Sequence, residues 1–158
     1  MNIFYLDHDV DTSAQYHTDK HVVKMILEYA QLLCTAHRLI DDIESDVLYK
    51  ATHKNHPSAK FVRMTSGNYY YVYSLFIALC NEYTYRYGKV HKTDSRLRHA
   101  LKDAPIQLPI GAMTRVPQAM PDAFKVPNSM IAYRNYYRKD KQHLHKWTKR
   151  QIPSFIGE

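Results

Sequence analysis

A chain of 158 residues, 45% of them hydrophobic, is long enough to bury a core and short enough to form one domain, residues 1–158. Lys and Arg outnumber Asp and Glu by 22 to 15, and the resulting charge of +7, with ten histidines in reserve, favours a polyanionic partner, most simply DNA. Cys34 and Cys80 sit singly in apolar runs, which argues against a disulfide framework or zinc knuckle, while "MNIFYLDHD" lacks the basic start of a signal and no run approaches the ~18 apolar residues of a membrane span. The expectation is a cytoplasmic protein of a bacterial or phage-infected cell, with no membrane contact and no obligatory protein partner.

In chain order, "NIFYL" has strand-like composition, but five residues cannot make a sheet alone. Apolar residues then recur with helical period from about Ser13 to Ile40, and again from Pro57 through Tyr87, where Gly88 is a stop signal. Pro57 and Ser58 after "THKNH" read as a helix start, and Gly67 weakens or kinks the second helix. A third, shorter helix begins near Thr93 or Asp94 and ends by Asp103. Five of the seven prolines fall between Ala104 and Asn128, a stretch too long and too stiff for an ordinary connection, so an ordered functional loop is expected close to the active cleft. Asn128 caps a last helix over "SMIAYRNYYRKDKQHLHKW". The fold class is therefore all-α: two long helices, shorter third and C-terminal helices, and a long Pro-rich loop.

The first long helix carries a puzzle in "HTDKHVVKMILEYAQ". At about 100° per residue, His17, His21, Lys24, Gln31 and Thr35 fall within roughly 60° of Glu28 on an otherwise apolar helix. So narrow a polar stripe suggests the lining of a cleft, although a Lys24–Glu28 helix pair would account for part of it with no function attached. His17 and His21 could in principle ligate zinc, but the HExxH pattern is missing and Lys24 would repel the cation; no metal and no cofactor is expected.

The segment "DKHVVKMILE", with Asp19, His21 and then Glu28, resembles the first catalytic helix of the pyrimidine-dimer DNA glycosylases, the phage endonuclease V family. "NYYYVYSLFIALCNEYTYRYGK" and "AYRNYYRK" resemble that family's long second helix and its aromatic, basic C-terminal segment. The segments "MNIF", "DKHVVKM", "HKNHP", "YGKVH" and "KWTKR" are also similar to a group of phage and bacterial glycosylase-like proteins. The resemblance implies a small all-α enzyme in which an N-terminal α-amine attacks the sugar C1′ while a helix glutamate, here Glu28, assists. An α-amine, with a reference pKa of about 8, is partly neutral and nucleophilic at physiological pH.

The family nucleophile is a threonine amine exposed by methionine removal. Here residue 2 is Asn, so Met1 is expected to stay on and to crowd the sugar with its side chain. Leu27 and Gln31 also stand where family arginines would meet phosphate. Base release without efficient strand cleavage follows as the expectation: Glu28 or Asp19 activates water, His21 or His17 protonates or orients the leaving base, and Met1 and Asn2 lie close by. For DNA contact the candidates are Lys24 and Gln31 on the first helix, Lys54 and His56 before the second, Lys89 and His91 after it, and the C-terminal set Arg134, Tyr136, Tyr137, Trp147, Lys149 and Arg150, where aromatic and basic residues interleave. A basic amphipathic helix with Tyr133 and Tyr137 packed inward is the competing reading of that last set. The expected activity is a DNA-base N-glycosylase acting on a damaged or modified pyrimidine. The alternatives are a nucleoside or nucleotide N-glycosidase or base-modifying transferase using the same cleft, and a non-catalytic DNA-binding or inhibitory protein.

Overall fold

In the computed structural model, which describes residues 1–157, six α-helices follow an extended N-terminal segment: α1 (Val10–Tyr16), α2 (Asp19–Ile40), α3 (Pro57–Val62), α4 (Ser66–Tyr87), α5 (Lys92–Leu97) and α6 (Ser129–Asp140). Short 3-10 turns occupy Asp122–Phe124, Gln142–Leu144 and Ser154–Gly157, and no strand forms among the described residues. The all-α fold expected from the sequence is the one observed. No helix is long and apolar enough to cross a membrane among the described residues.

Each long periodic run is divided by a cap. Thr18 has extended backbone and accepts from His21 N at 3.3 Å, so the first run becomes α1 and α2. Thr65 accepts from Asn68 N at 3.1 Å, which separates α3 from α4. The break in the second run thus lies at 63–65, just before Gly67. Gly67 serves packing: a Cβ there would stand 2.4 Å from the Met113 amide nitrogen of the Pro-rich loop. Gly88 ends α4 in the left-handed region at φ 68, and Asn128 caps α6 by accepting from Ile131 N. The third and last helices are shorter than expected, closing at Leu97 and Asp140.

The core lies where the two 22-residue helices α2 and α4 pack together, with α1 against α4 and α3 against both. Ile3, Phe4 and Leu6 are threaded into this core. Their backbone polar groups need partners that a sheet would normally supply. Phe4 N donates to the Tyr29 hydroxyl at 3.1 Å, Leu6 N to Ser13 Oγ at 3.2 Å, and Arg134 Nε donates to the Leu6 carbonyl at 2.7 Å. The extended segment is therefore held by side chains, and its register fixes where residue 1 ends up.

Candidate active site

Glu28 projects from the middle of α2 with its side chain 14% exposed. The Met1 α-nitrogen lies 3.4 Å from its Oε1, and Lys24 Nζ lies 3.6 Å from its Oε2. Oε2 is itself buried and makes no hydrogen bond among the described residues, so the carboxylate retains acceptor capacity. The Met1 side chain is only 5% exposed and packs against the core. Asn2 is partly buried beside it.

The turn before α3 closes the group. His56 caps α3, its Nδ1 accepting from Ser58 N at 3.0 Å, which leaves Nε2 as the protonated, donating edge. Burial holds the His56 pKa below the ordinary imidazole range, with the Met1 ammonium and His53 lowering it further and Glu28 opposing them, so the four groups are electrostatic neighbours. His53 adopts a left-handed backbone at φ 48, uncommon for a residue with a side chain, and its ring Nδ1 shares a hydrogen bond with Thr52 Oγ1 at 2.8 Å. Arg63 reaches back to donate to the Lys54 carbonyl at 2.5 Å, adding a guanidinium beside exposed Lys54. Sequence reasoning overlooked His53 and Arg63. Their signal was the charge of "HKNHPSAKFVR" read as one segment and not as a helix entry followed by a helix.

The other polar residues of the α2 stripe do something else. His17 is fully buried, its Nδ1 hydrogen-bonded to the Ser13 carbonyl at 2.7 Å and its Nε2 to the Tyr29 hydroxyl at 2.8 Å. Because Nδ1 must donate to the carbonyl, Nε2 accepts from Tyr29, which then accepts from Phe4 N; burial depresses the imidazole to about 4 and keeps it neutral. His21 is stacked 4.4 Å under the Phe4 ring and bonds Tyr137 Oη at 2.7 Å; burial, helped by His17, Lys141 and Lys24, pushes its pKa down to about 3. Asp19 accepts from Arg86 at 2.9 Å and from Thr148 N and Oγ1 at 2.9 and 2.6 Å, which ties α2 to α4 and the C-terminal tail. These three residues do not share an accessible wall with Glu28. The expectation that His17, His21 or Asp19 handles protons at the sugar gives way to a structural role: both His17 ring nitrogens and the Asp19 carboxylate are bonded within the core, and His21 is packed under Phe4 with its Nδ1 on Tyr137.

The aromatic, basic C-terminal set is corrected in the same way. Tyr137 is fully buried, Tyr136 and Trp147 are nearly so, and Trp147 Nε1 donates to the Tyr16 carbonyl. Arg134 holds the Leu6 carbonyl and pairs with Asp7 at 2.8 Å. Arg150 makes a two-pronged pair with buried Glu82, at 3.0 and 2.9 Å. Interleaved aromatics and cations here are two faces of packed structure, the competing reading. Lys149 remains exposed, donating to the Tyr85 carbonyl. His91 caps α5 through Nδ1 and packs on Tyr83, whereas Lys89 is exposed beyond α4. Gln31 lies partly buried one turn beyond Glu28.

The Pro-rich loop is ordered, but its ties run to the first turn of α4 and to Asp41 at the end of α2. Its second half, with Arg115, Gln118, Lys125 and Pro127, lines a cleft of about 570 Å³. No protein-family model matches the chain, and neither a curated protein nor a solved structure matches it. No group of His, Cys, Asp or Glu among the described residues is arranged to hold a metal ion. Chemistry at this site has to be argued from its own residues.

Proposed function

We propose that the protein is a DNA-base N-glycosylase acting on a damaged or modified pyrimidine nucleotide, with Glu28 as the central carboxylate. The observation that carries this reading is the 3.4 Å approach of the Met1 α-nitrogen to a carboxylate whose second oxygen is buried, faces Lys24 at 3.6 Å and makes no hydrogen bond. In the chain beginning at Met1, the amine, once its ammonium has lost a proton, attacks C1′ as the base departs with the C1′–base bonding pair and takes up a proton. The new C1′ amine gives a proton to Glu28, which delivers it to O4′ as the ring opens. The resulting iminium is hydrolysed by water, regenerating the amine. A nearby carboxylate also stabilises the oxocarbenium-like sugar at the transition state. In this reading His56, whose Nδ1 is taken by Ser58 N, orients the leaving base or a flanking phosphate through Nε2.

The buried Met1 side chain supports the amine over the water route that the sequence favoured. The deciding experiment combines chromatographic detection of released base from duplexes carrying a panel of damaged pyrimidines with borohydride trapping and intact mass analysis of the N-terminus. Base release with an adduct mapped to Met1, both lost in Glu28→Gln, is expected. Base release without an adduct selects the Glu28-activated water. Duplex binding without release from any duplex of the panel overturns the enzyme reading in favour of a DNA-binding protein, and release from free nucleosides but not duplexes reassigns the substrate.

A further inference from the structure

The C-terminal tail forms a second cleft, of about 450 Å³, against the end of α1; Gln15, Tyr16, Lys149, Arg150, Gln151 and Ser154 line it. Its two cations are fixed in place. Arg150 gives Nε and Nη2 to the buried Glu82 carboxylate, with its guanidinium 4.1 Å over the Tyr85 ring, so that Nη1 stays outside the ion pair on a side chain 28% exposed. Lys149 Nζ donates to the Tyr85 carbonyl at 3.1 Å, one of the three bonds an ammonium can make. Gln15 and Gln151 add two carboxamides, each pairing a donor with an acceptor, and Tyr16 and Ser154 add hydroxyls. No carboxylate lines the cleft among the described residues. Glu82 is committed to Arg86 and Arg150, Asp19 to Arg86 and Thr148, and exposed Asp11, one turn before Gln15 on α1, is not part of the lining.

We infer that this cleft binds a mononucleotide unit, with its phosphate on Lys149 and Arg150 and its base edge on the two carboxamides. A guanidinium and an ammonium held rigid side by side suit an anion with several oxygens, and neither loses much freedom on binding it. The space is that of a small-molecule site rather than of a lone ion. Carboxamides match the adjacent donor and acceptor that a base edge presents, and the partly exposed Tyr16 ring supplies an aromatic surface beside them. The cleft is separate from the Met1–Glu28 pair. Arg150 reaches α2 through Glu82, Arg86 and Asp19, and Asp19 precedes Glu28 by nine residues, about 14 Å along the helix. Nucleotide binding here stands apart from base release at Glu28.

Calorimetric titration of the full chain at low salt, with the deoxynucleoside 5′-monophosphates, their nucleosides, inorganic phosphate and a 5′-phosphorylated single strand, tests the site. At least one monophosphate is expected to bind about tenfold tighter than its nucleoside and than inorganic phosphate. Lys149→Asn removes the ammonium and suits the left-handed backbone at φ 61, while Gln151→Glu keeps the shape and sets a negative charge near the phosphate. Each should weaken that binding about tenfold with the thermal midpoint unchanged, and Glu28→Gln should leave it unaltered. Binding of the strand alone, weakened by the same two substitutions, assigns the unit to a nucleotide within a chain. Nucleotide binding that neither substitution weakens, no binding at all, or equal affinity for inorganic phosphate and nucleotides overturns the site. So does loss of nucleotide binding in Glu28→Gln, which places the nucleotide at the Met1–Glu28 pair. Base release is scored separately: release with no Lys149-dependent binding refutes this cleft alone, and Lys149-dependent binding with no release refutes the glycosylase reading alone.

Discussion

The two ends of the α2 polar stripe carry similar residues and reach opposite outcomes. At the N-terminal end, His17, Asp19 and His21 are buried and bonded to Ser13, Tyr29, Tyr137, Arg86 and Thr148. Two turns on, Glu28 has one oxygen facing an ammonium and the other buried without a hydrogen bond. The first end holds the molecule together, while the second keeps unused bonding capacity on a side chain that is only partly buried. Polarity on a buried helix is therefore not a mark of chemistry. A polar group left incompletely satisfied costs stability unless something binds to it, and Glu28 Oε2 shares that condition with Ser58 Oγ, Arg63 Nη1 and Tyr71 Oη.

Removing one residue from each end sharpens the contrast. The largest effect is expected for Glu28→Gln, with base release from a damaged duplex falling by about two to four orders of magnitude while the urea midpoint holds or rises. A fall in stability of the kind seen for core pairs would place Glu28 with the structural end after all. Asp19→Ala leaves the fully buried Arg86 side chain with only Glu82 and the Gln15 carbonyl, and should cost about 3–5 kcal/mol of unfolding free energy in urea titration, with base release per folded molecule preserved.

Acidification separates the ends without mutation. His17 and His21 are held neutral in the folded chain, near 4 and 3, against an ordinary value of 6.5. Between 6.5 and about 4 the unfolded chain takes up protons that the folded chain refuses, so stability is complete above 6.5 and falls as pH drops. Each histidine contributes a slope of up to about 1.4 kcal/mol per pH unit. Asp19 and Glu82, both held below the ordinary carboxylate range, hydrogen bonds and guanidinium pairing outweighing burial, add a further loss only at lower pH. Urea titrations at pH 7.0, 5.5 and 4.5 should show the decline, and His17→Gln should reduce its slope by about one proton. An unchanged slope would mean that His17 is already charged in the folded state. The smallest effect concerns neither end: Asn128→Ala removes the α6 cap and should lower stability by about 1 kcal/mol without altering base release.

Much of this was readable before any coordinates. The period of the apolar residues locates the ends of α2 and α4 at Ile40 and Tyr87 but not their starts, Gly88 and Asn128 end and begin helices as their chemistry requires, and Pro content marks an ordered loop. Glu28 also stands out as the carboxylate of the stripe. What misled was reading residue type as role. Tyr136, Tyr137, Arg134 and Trp147 have the composition of a nucleic-acid surface, yet burial decides that they clamp the N-terminal segment and tail. The reverse holds for His56, whose proximity to Glu28 depends on a turn that returns the chain along α2, a relation between residues 28 positions apart.

The sequence by itself determined the all-α class, because helical periodicity and capping are local and act within a few residues. It also determined the cationic balance and the presence of Glu28 as the one carboxylate in the polar stripe of the first long helix. Only the tertiary structure decided which polar groups are satisfied. A hydrogen bond such as Thr18 N to Tyr137 Oη joins residues 119 apart, and the burial of Glu28 Oε2 depends on how an extended segment is threaded past Tyr29. Satisfaction and desolvation are properties of packed neighbours, and no local pattern along the chain encodes them.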